Sequence, residues 1–163
     1  MLLLGQDDPK KCTAKRLLKF GLVGRVWPRE LGGKLVLDPF SNHVLTPLDS
    51  GAKAVVAVDC SWRLAERVFG KMKRGIRRRL PLLIPANPTN YGHVGLLSSA
   101  EALSSALYIL GFEAEAEKLL APFKWGPEFL KLNKVLLEEY KGAKGERDVR
   151  EVEECYFKPR LKV

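Results

Sequence analysis

Long apolar runs are missing from this 163-residue chain. None approaches the roughly 20 residues that a membrane-spanning helix needs. The opening MLLLGQDDPKK is too short for the apolar core of a signal peptide, so a cytoplasmic protein without a membrane partner is expected. Cysteine is scarce: Cys12, Cys60 and Cys155 are the full set. Their spacing contains no close pair, which argues against a zinc ribbon or a disulfide scaffold and suits an intracellular chain. The two histidines, His43 and His93, stand in no metal-ligand spacing with those cysteines. Neither the phosphate-binding loop of nucleotide hydrolases nor the dinucleotide glycine fingerprint occurs; Gly21-Leu22-Val23-Gly24 is too short and too early to count. No metal is therefore expected, and nicotinamide chemistry is disfavoured. Internal repeats and low-complexity segments are absent as well.

What is abundant is positive charge. Lys and Arg number 28 against 19 Asp and Glu, a formal net charge of +9. The excess sits at the front: residues 1–100 hold 17 basic and 7 acidic side chains, whereas residues 101–163 hold 11 and 12. A polyanion should land on the first part. Charge alone leaves RNA, DNA and an anionic membrane surface open. With 46% hydrophobic residues the chain can bury a core of single-domain size.

The pattern along the chain is that of an α/β protein. MLLL reads as a short strand, and KKCTAKRLLKF as an amphipathic helix with Asp8 or Thr13 as cap. Residues 35–37 and 44–45 are short strand candidates among Gly- and Pro-rich turns. AKAVVAVDC is the clearest strand, and its unbroken apolar run over residues 54–58 suits burial on both faces. RLAERVFGKMKRGIRRR continues as a basic helical stretch, and PLLIPAN reads as a second buried strand that ends in the loop PANPTNYGHVG. Three helices follow: SSAEALSSALYILGF, capped by Ser98 or Ser99 with Glu101 in its first turn, then EAEAEKLLAPF, then WGPEFLKLNKVLLEEYKG. From Lys141 onward the chain is charged and without pattern, apart from a short segment candidate around Cys155 to Phe157, and no role is assigned to the tail from Glu146.

Three features carry candidate chemistry. Asp59-Cys60-Ser61-Trp62 closes the clearest strand, where α/β folds place functional groups. Asp59 is there either a functional carboxylate or the cap of the next helix; Trp62 is either a flat face for a base or core filling. The loop Pro85-Ala86-Asn87-Pro88-Thr89-Asn90-Tyr91-Gly92 is stiffened by two prolines and two asparagines, and reads as an ordered base-reading loop or a structural one. The third is a basic run of Arg63, Arg67, Lys71, Lys73, Arg74, Arg77, Arg78 and Arg79 against Glu66 alone. A solvated helix face usually alternates sign, so phosphate contact is the better explanation. Lys10, Lys11, Lys15, Arg16 and Lys19 form a second cluster.

The stretches DDPKKCTAKRL, LDPF, VDCSW, LLIPANPTNYG, LSSAEALSSALYILGF and FKWGPEFLKLN, in this order, resemble the family of small-subunit ribosomal RNA aminocarboxypropyltransferases, archaeal branch. The resemblance covers about residues 6–140. It implies a SPOUT-like trefoil-knotted α/β domain over residues 51–145, a small N-terminal α/β portion over residues 1–50 and a charged tail over residues 146–163. It further implies S-adenosyl-L-methionine as cofactor and small-subunit ribosomal RNA, or a pre-ribosomal particle, as partner. The reaction implied is transfer of the 3-amino-3-carboxypropyl group to a ring nitrogen of a uridine or pseudouridine-derived nucleotide. Carried over by motif, Thr13 would hold the amino-acid end of the cofactor and Val58 and Asp59 the ribose side. Leu82, Leu83, Ala86, Asn87, Tyr91, Leu97, Ser98 and Ser99 would form the adenine pocket. Trp62 would position the carbon under attack, and Asp59 is the general-base candidate. The target base would leave its stack to enter the pocket, and the two basic clusters would clamp flanking phosphates.

A methyltransferase using the same cofactor and a non-catalytic RNA-binding assembly protein are the competing readings. Trp62 separates a substrate role from a core role. Trp62→Ala is expected to lower turnover more than RNA affinity, measured as kcat beside equilibrium RNA binding; an equal loss of both would assign the side chain to the core.

Overall fold

The computed structural model describes residues 1–3 and 12–158, and the side chain of Trp62 lies outside the described set, as do Lys10 and Lys11. Among the described residues, five short strands make two parallel sheets. Leu2–Leu3 (β1) pairs with Val58–Asp59 (β4), while Leu35–Leu37 (β2) lies between Val55–Val56 (β3) and Ile76–Arg78 (β5). The apolar run expected as one strand is thus divided at Ala57. Its first half joins one sheet and its second half the other, so a single short stretch fixes the sheets to each other.

Both faces of the central strand are covered, which is why it is apolar at three consecutive positions. Leu35 and Leu37 belong to the main core, while Val36 packs into a smaller cluster with Ala65 and Phe69. Those two residues come from Trp62–Lys71 (α2). The main core is built by the other helices: Thr13–Lys19 (α1), Ser99–Ile109 (α3), Glu113–Leu120 (α4), Gly126–Leu132 (α5), Lys134–Lys141 (α6) and Glu146–Phe157 (α7). At the centre, α3 buries Ala100, Leu103, Ala106 and Ile109. Its capping box is the expected one. Ser98 Oγ accepts the Glu101 N–H, and the Glu101 carboxylate accepts the Ser98 N–H in return.

Four expectations need correction. The basic helix stops at Lys71. At Gly75 the backbone turns with φ +97°, and a Cβ there would lie 2.6 Å from Val36 Cγ2. Only glycine fits, and beyond it residues 76–78 form β5, a strand rather than more helix. The third helix is two, α5 and α6, broken at Asn133. The charged stretch beyond Lys141 contains α7, which buries Val149, Glu153 and Phe157 at intervals of four. The cap of α1 is Cys12, whose Sγ accepts the Lys15 N–H at 3.4 Å.

PLLIPAN, expected as a buried strand, belongs to no strand ladder. Its Leu83 and Pro85 carbonyls accept the backbone N–H groups of Gly95 and Gly92 at 2.9 and 3.3 Å, and side chains serve several of its other peptide groups. Glu153 accepts the Leu82 N–H at 2.9 Å, and the Tyr140 hydroxyl donates to the Leu82 carbonyl at 2.9 Å. Asn133, fully buried, bonds Ile84 as a neighbouring strand would: Oδ1 accepts its N–H and Nδ2 donates to its carbonyl, both at 2.8 Å. Farther on, the Ala86 and Asn87 N–H groups donate to Glu101 Oε1 at 2.8 and 3.0 Å.

Replacing Asn133 removes two partners of one peptide unit at once. Asn133→Leu, close in volume, is expected to cost about 2–4 kcal/mol of unfolding free energy, measured by urea denaturation. A loss below about 0.5 kcal/mol, the ordinary scale for an inconsequential surface change, would show that Ile84 finds other partners.

Candidate active site

A cavity of about 690 Å³ opens where β2, β4 and β5 end. This is the edge at which open parallel sheets hold ligands, and the volume suits a cofactor-sized molecule. Asp38 and Pro39 follow β2, Asp59 and Cys60 end β4, and Arg79 and Leu80 follow β5; all line it. Cys12 and Thr13 enter from the start of α1, Ala65 and Phe69 from α2, and Ser98, Ser99 and Ala102 from the start of α3.

Most of the residues proposed from sequence meet here. Thr13, Val58, Asp59, Leu82, Asn87, Leu97, Ser98 and Ser99 all line this one cavity. Leu83 does not, being fully buried in the main core. Ala86 is buried behind the wall, and Tyr91 is 68% exposed outside it. Trp62 is the first residue of α2, directly after the strand-end residues.

The loop beyond residue 85 is ordered by one carboxylate. Glu101 is completely buried. Besides the Ala86 and Asn87 N–H groups, it accepts Asn87 Nδ2 at 2.7 Å and the N–H and hydroxyl of Ser98, each at 2.8 Å. Five donors and the N-terminal end of α3 compensate the buried charge. Asn87 Oδ1 in turn accepts the N–H groups of Thr89 and Asn90 at 3.1 and 3.0 Å. Thr13 ties the facing wall to the same helix end, its hydroxyl accepting the Ala100 N–H at 3.2 Å.

Three carboxylates reach the cavity wall with different partners. Asp38, almost wholly buried, pairs with Arg77 and accepts the Phe40 N–H. Glu153 holds Arg79 through two bonds of 2.7 and 2.8 Å. Asp59 Oδ2 accepts from Cys12 Sγ at 3.2 Å. Burial, and then the Asp59 carboxylate, push the Cys12 thiol above its ordinary value. It stays protonated at neutral pH and donates to Asp59. Neither Cys12 nor Glu153 was marked as a site residue by sequence: a cysteine just ahead of a helix is a weak capping signal, and Glu153 lies far along the chain from the cavity loops.

The arginine triplet requires a correction. Arg77, Arg78 and Arg79, each half-buried, pair with Asp38, Asp49 and Glu153, and they lie in and just after β5 rather than on a helix. Arg16 is likewise engaged, donating to the Pro122 carbonyl at 2.7 Å and lying over the Phe123 ring. Lys19, Arg63, Arg67, Lys71, Lys73 and Arg74 are exposed, and Lys15 is half-buried.

Residues 35–157 match the family described as "Ribosome biogenesis protein, C-terminal". Residues 1–26 match a "Possible Fer4-like domain in RNase L inhibitor". Iron–sulfur clusters take cysteine thiolates as ligands. Cys12 is the one cysteine in those residues, so they do not fit a cluster. Among the described residues no group of His, Cys, Asp and Glu could hold a metal ion. The 16S rRNA aminocarboxypropyltransferase of Methanopyrus kandleri is 48% identical over 156 residues, covering 92% of each chain. That of Methanosarcina mazei is 40% identical over 158 residues, covering 94% of this chain and 91% of the relative. Among solved structures, the SAM-dependent rRNA:acp-transferase Tsr3 from Vulcanisaeta distributa superposes with a TM-score of 0.83. It shares 43% identity over 93% of this chain and 85% of that one.

The Cys12 thiol gives the site a pH signature. Its pKa is raised in the folded protein, so its contribution to stability is complete below the unfolded value and is lost as pH rises through the folded one. Unfolding free energy should fall more steeply from about pH 8 to pH 10 in the wild type than in Cys12→Ser. Superimposable pH profiles would show that the thiol does not titrate with folding.

Proposed function

The chain belongs to the family of 16S rRNA aminocarboxypropyltransferases, and from that premise we propose how its cavity serves that reaction: moving the 3-amino-3-carboxypropyl group of S-adenosylmethionine to a ring nitrogen of a uridine or pseudouridine-derived nucleotide in small-subunit ribosomal RNA. The observation that carries the reading is the convergence of Thr13, Val58, Asp59, Leu82, Asn87, Leu97, Ser98 and Ser99 on one cavity. These residues come from four separate stretches of sequence.

The donor group fits what the chain presents. Leu82 and Leu97 offer apolar surface for a flat purine, beside the polar loop of residues 87–90. Ser98 and Ser99 line the cavity at the start of α3, beside Leu97. The Thr13 hydroxyl accepts from Ala100, leaving its proton for an acceptor.

S-adenosylmethionine supplies a sulfonium with three carbons open to attack. Selecting one is a matter of geometry, because the carbon presented in line with the nucleophile and the sulfur is the one that reacts. The rigid wall around Asn87 and Leu82 fixes the nucleoside end, and Thr13 with Trp62 fixes the propyl chain. Asp59 takes the proton from the attacking ring nitrogen. The Cys12 thiol bonded to Oδ2 aims that carboxylate. Lys15, Lys19, Arg63, Arg67, Lys71 and Lys73 hold the flanking phosphates. A trefoil knot of the SPOUT type and an archaeal cytoplasmic setting complete the proposal.

The reaction is tested with S-adenosylmethionine labelled separately in the methyl and carboxyl positions and incubated with small-subunit ribosomal RNA. Carboxyl label alone should enter the RNA. Methyl label in the RNA would replace this reading with a methyltransferase, and absence of both labels would leave an RNA-binding assembly protein.

A further inference from the structure

The strands that end at the cavity begin at a second surface. Lys34 precedes β2, Ala54 precedes β3 and Gly75 precedes β5, so this edge is about 10 Å from the cavity edge along three-residue strands. The segment that covers it is anchored on both sides. Val26 donates its N–H to the Met1 carbonyl at 3.0 Å, and Val26 and Leu31 are buried in the smaller core cluster. Between them stands Trp27, half exposed.

Its backbone is stiff. Pro28 follows, the Trp27 N–H donates to Glu30 Oε2 at 2.7 Å, and the Glu30 N–H donates back to the Trp27 carbonyl at 2.9 Å. The Arg25 guanidinium lies 4.8 Å from the centre of the indole. Arg74 reaches across to the Arg29 carbonyl at 2.9 Å, and Lys53 lies beside Gly33. Arg25, Arg29, Lys53 and Arg74 are all exposed. The carboxylate of this segment, Glu30, is engaged by the Trp27 N–H.

We propose that this edge is a second RNA contact, separate from the cavity, in which an unpaired base of the substrate stacks on Trp27 while Arg25, Arg29 and Arg74 hold its phosphates. An exposed aromatic face with an arginine on it, ringed by cations, is the surface that single-stranded nucleic acid uses. A rigid aromatic loses little freedom on binding. The proposal rests on the RNA substrate of the preceding subsection and adds where a segment away from the modified nucleotide lies.

The test is equilibrium binding of a fluorescent oligouridylate, followed by anisotropy at several salt concentrations, with S-adenosylmethionine affinity measured alongside. Trp27→Ala should weaken oligouridylate binding about tenfold, the scale of one stacked base, and Trp27→Phe should restore most of it. Arg25→Ala with Arg29→Ala should lower the salt slope by about 1.4, two phosphates at about 0.7 each on single strands. S-adenosylmethionine affinity should stay unchanged in all three. Wild-type oligouridylate affinity in Trp27→Ala, equal losses in the alanine and phenylalanine variants, or an unchanged salt slope in the arginine pair would overturn the proposal. Lack of group transfer by the wild type would instead count against the reaction, because oligouridylate binding is read without turnover.

Discussion

Residues 81–86 belong to no strand ladder, and every peptide group they bury must still find a partner. Side chains from distant helices supply several of those partners: Glu153 and Tyr140 at Leu82, Asn133 at Ile84, Glu101 at Ala86 and Asn87, while the Gly95 and Gly92 N–H groups reach the Leu83 and Pro85 carbonyls. A sheet would have satisfied the same groups by placing another strand alongside. Here Pro81 and Leu82 of the segment, with Asn87 next to it, form part of the cavity wall. The helices α3, α6 and α7 therefore do more than fill a core, since each contributes a polar side chain that holds this wall in place.

Function follows from that arrangement. The loop after residue 85 reads as rigid because Glu101 draws together its N–H groups, the Asn87 amide and the cap of α3. Thr13 draws α1 to the same helix end, and Cys12, one residue earlier, bonds to Asp59. One network thus links the wall assigned to the nucleoside end of the donor with the carboxylate assigned to the proton. The ion pairs of Arg77, Arg78 and Arg79 serve the frame, locking β5 and the residue after it to the end of β2, to the turn at Asp49 and to α7. Cations on the outside remain to meet RNA, at the cavity edge and at the Trp27 edge.

Much of this was legible in the sequence where the signal was local. The Ser98–Glu101 capping box, the apolar triplet of β2 and the strand end at Asp59 are short patterns, and each stands where its pattern says. What escaped depends on contacts distant along the chain. The arginine triplet looks like a phosphate clamp until Asp38, Asp49 and Glu153 are brought to it. The α7 face has three apolar-side positions spaced by four in a charged stretch, too sparse to register as amphipathic. Asn133 looks like a surface residue of one long helix, yet it is fully buried and serves Ile84, 49 positions earlier. Gly75 gave no local hint that its lack of a side chain makes room for Val36.

The central claim is that the cavity wall is built before any ligand arrives. Amide hydrogen exchange in the protein without S-adenosylmethionine tests it most directly. The Leu82, Ile84, Ala86 and Asn87 N–H groups should exchange as slowly as those in the middle of α3, since opening them requires unfolding the core. Exchange at these amides as fast as in exposed loops, with protection gained only on adding S-adenosylmethionine, would contradict it.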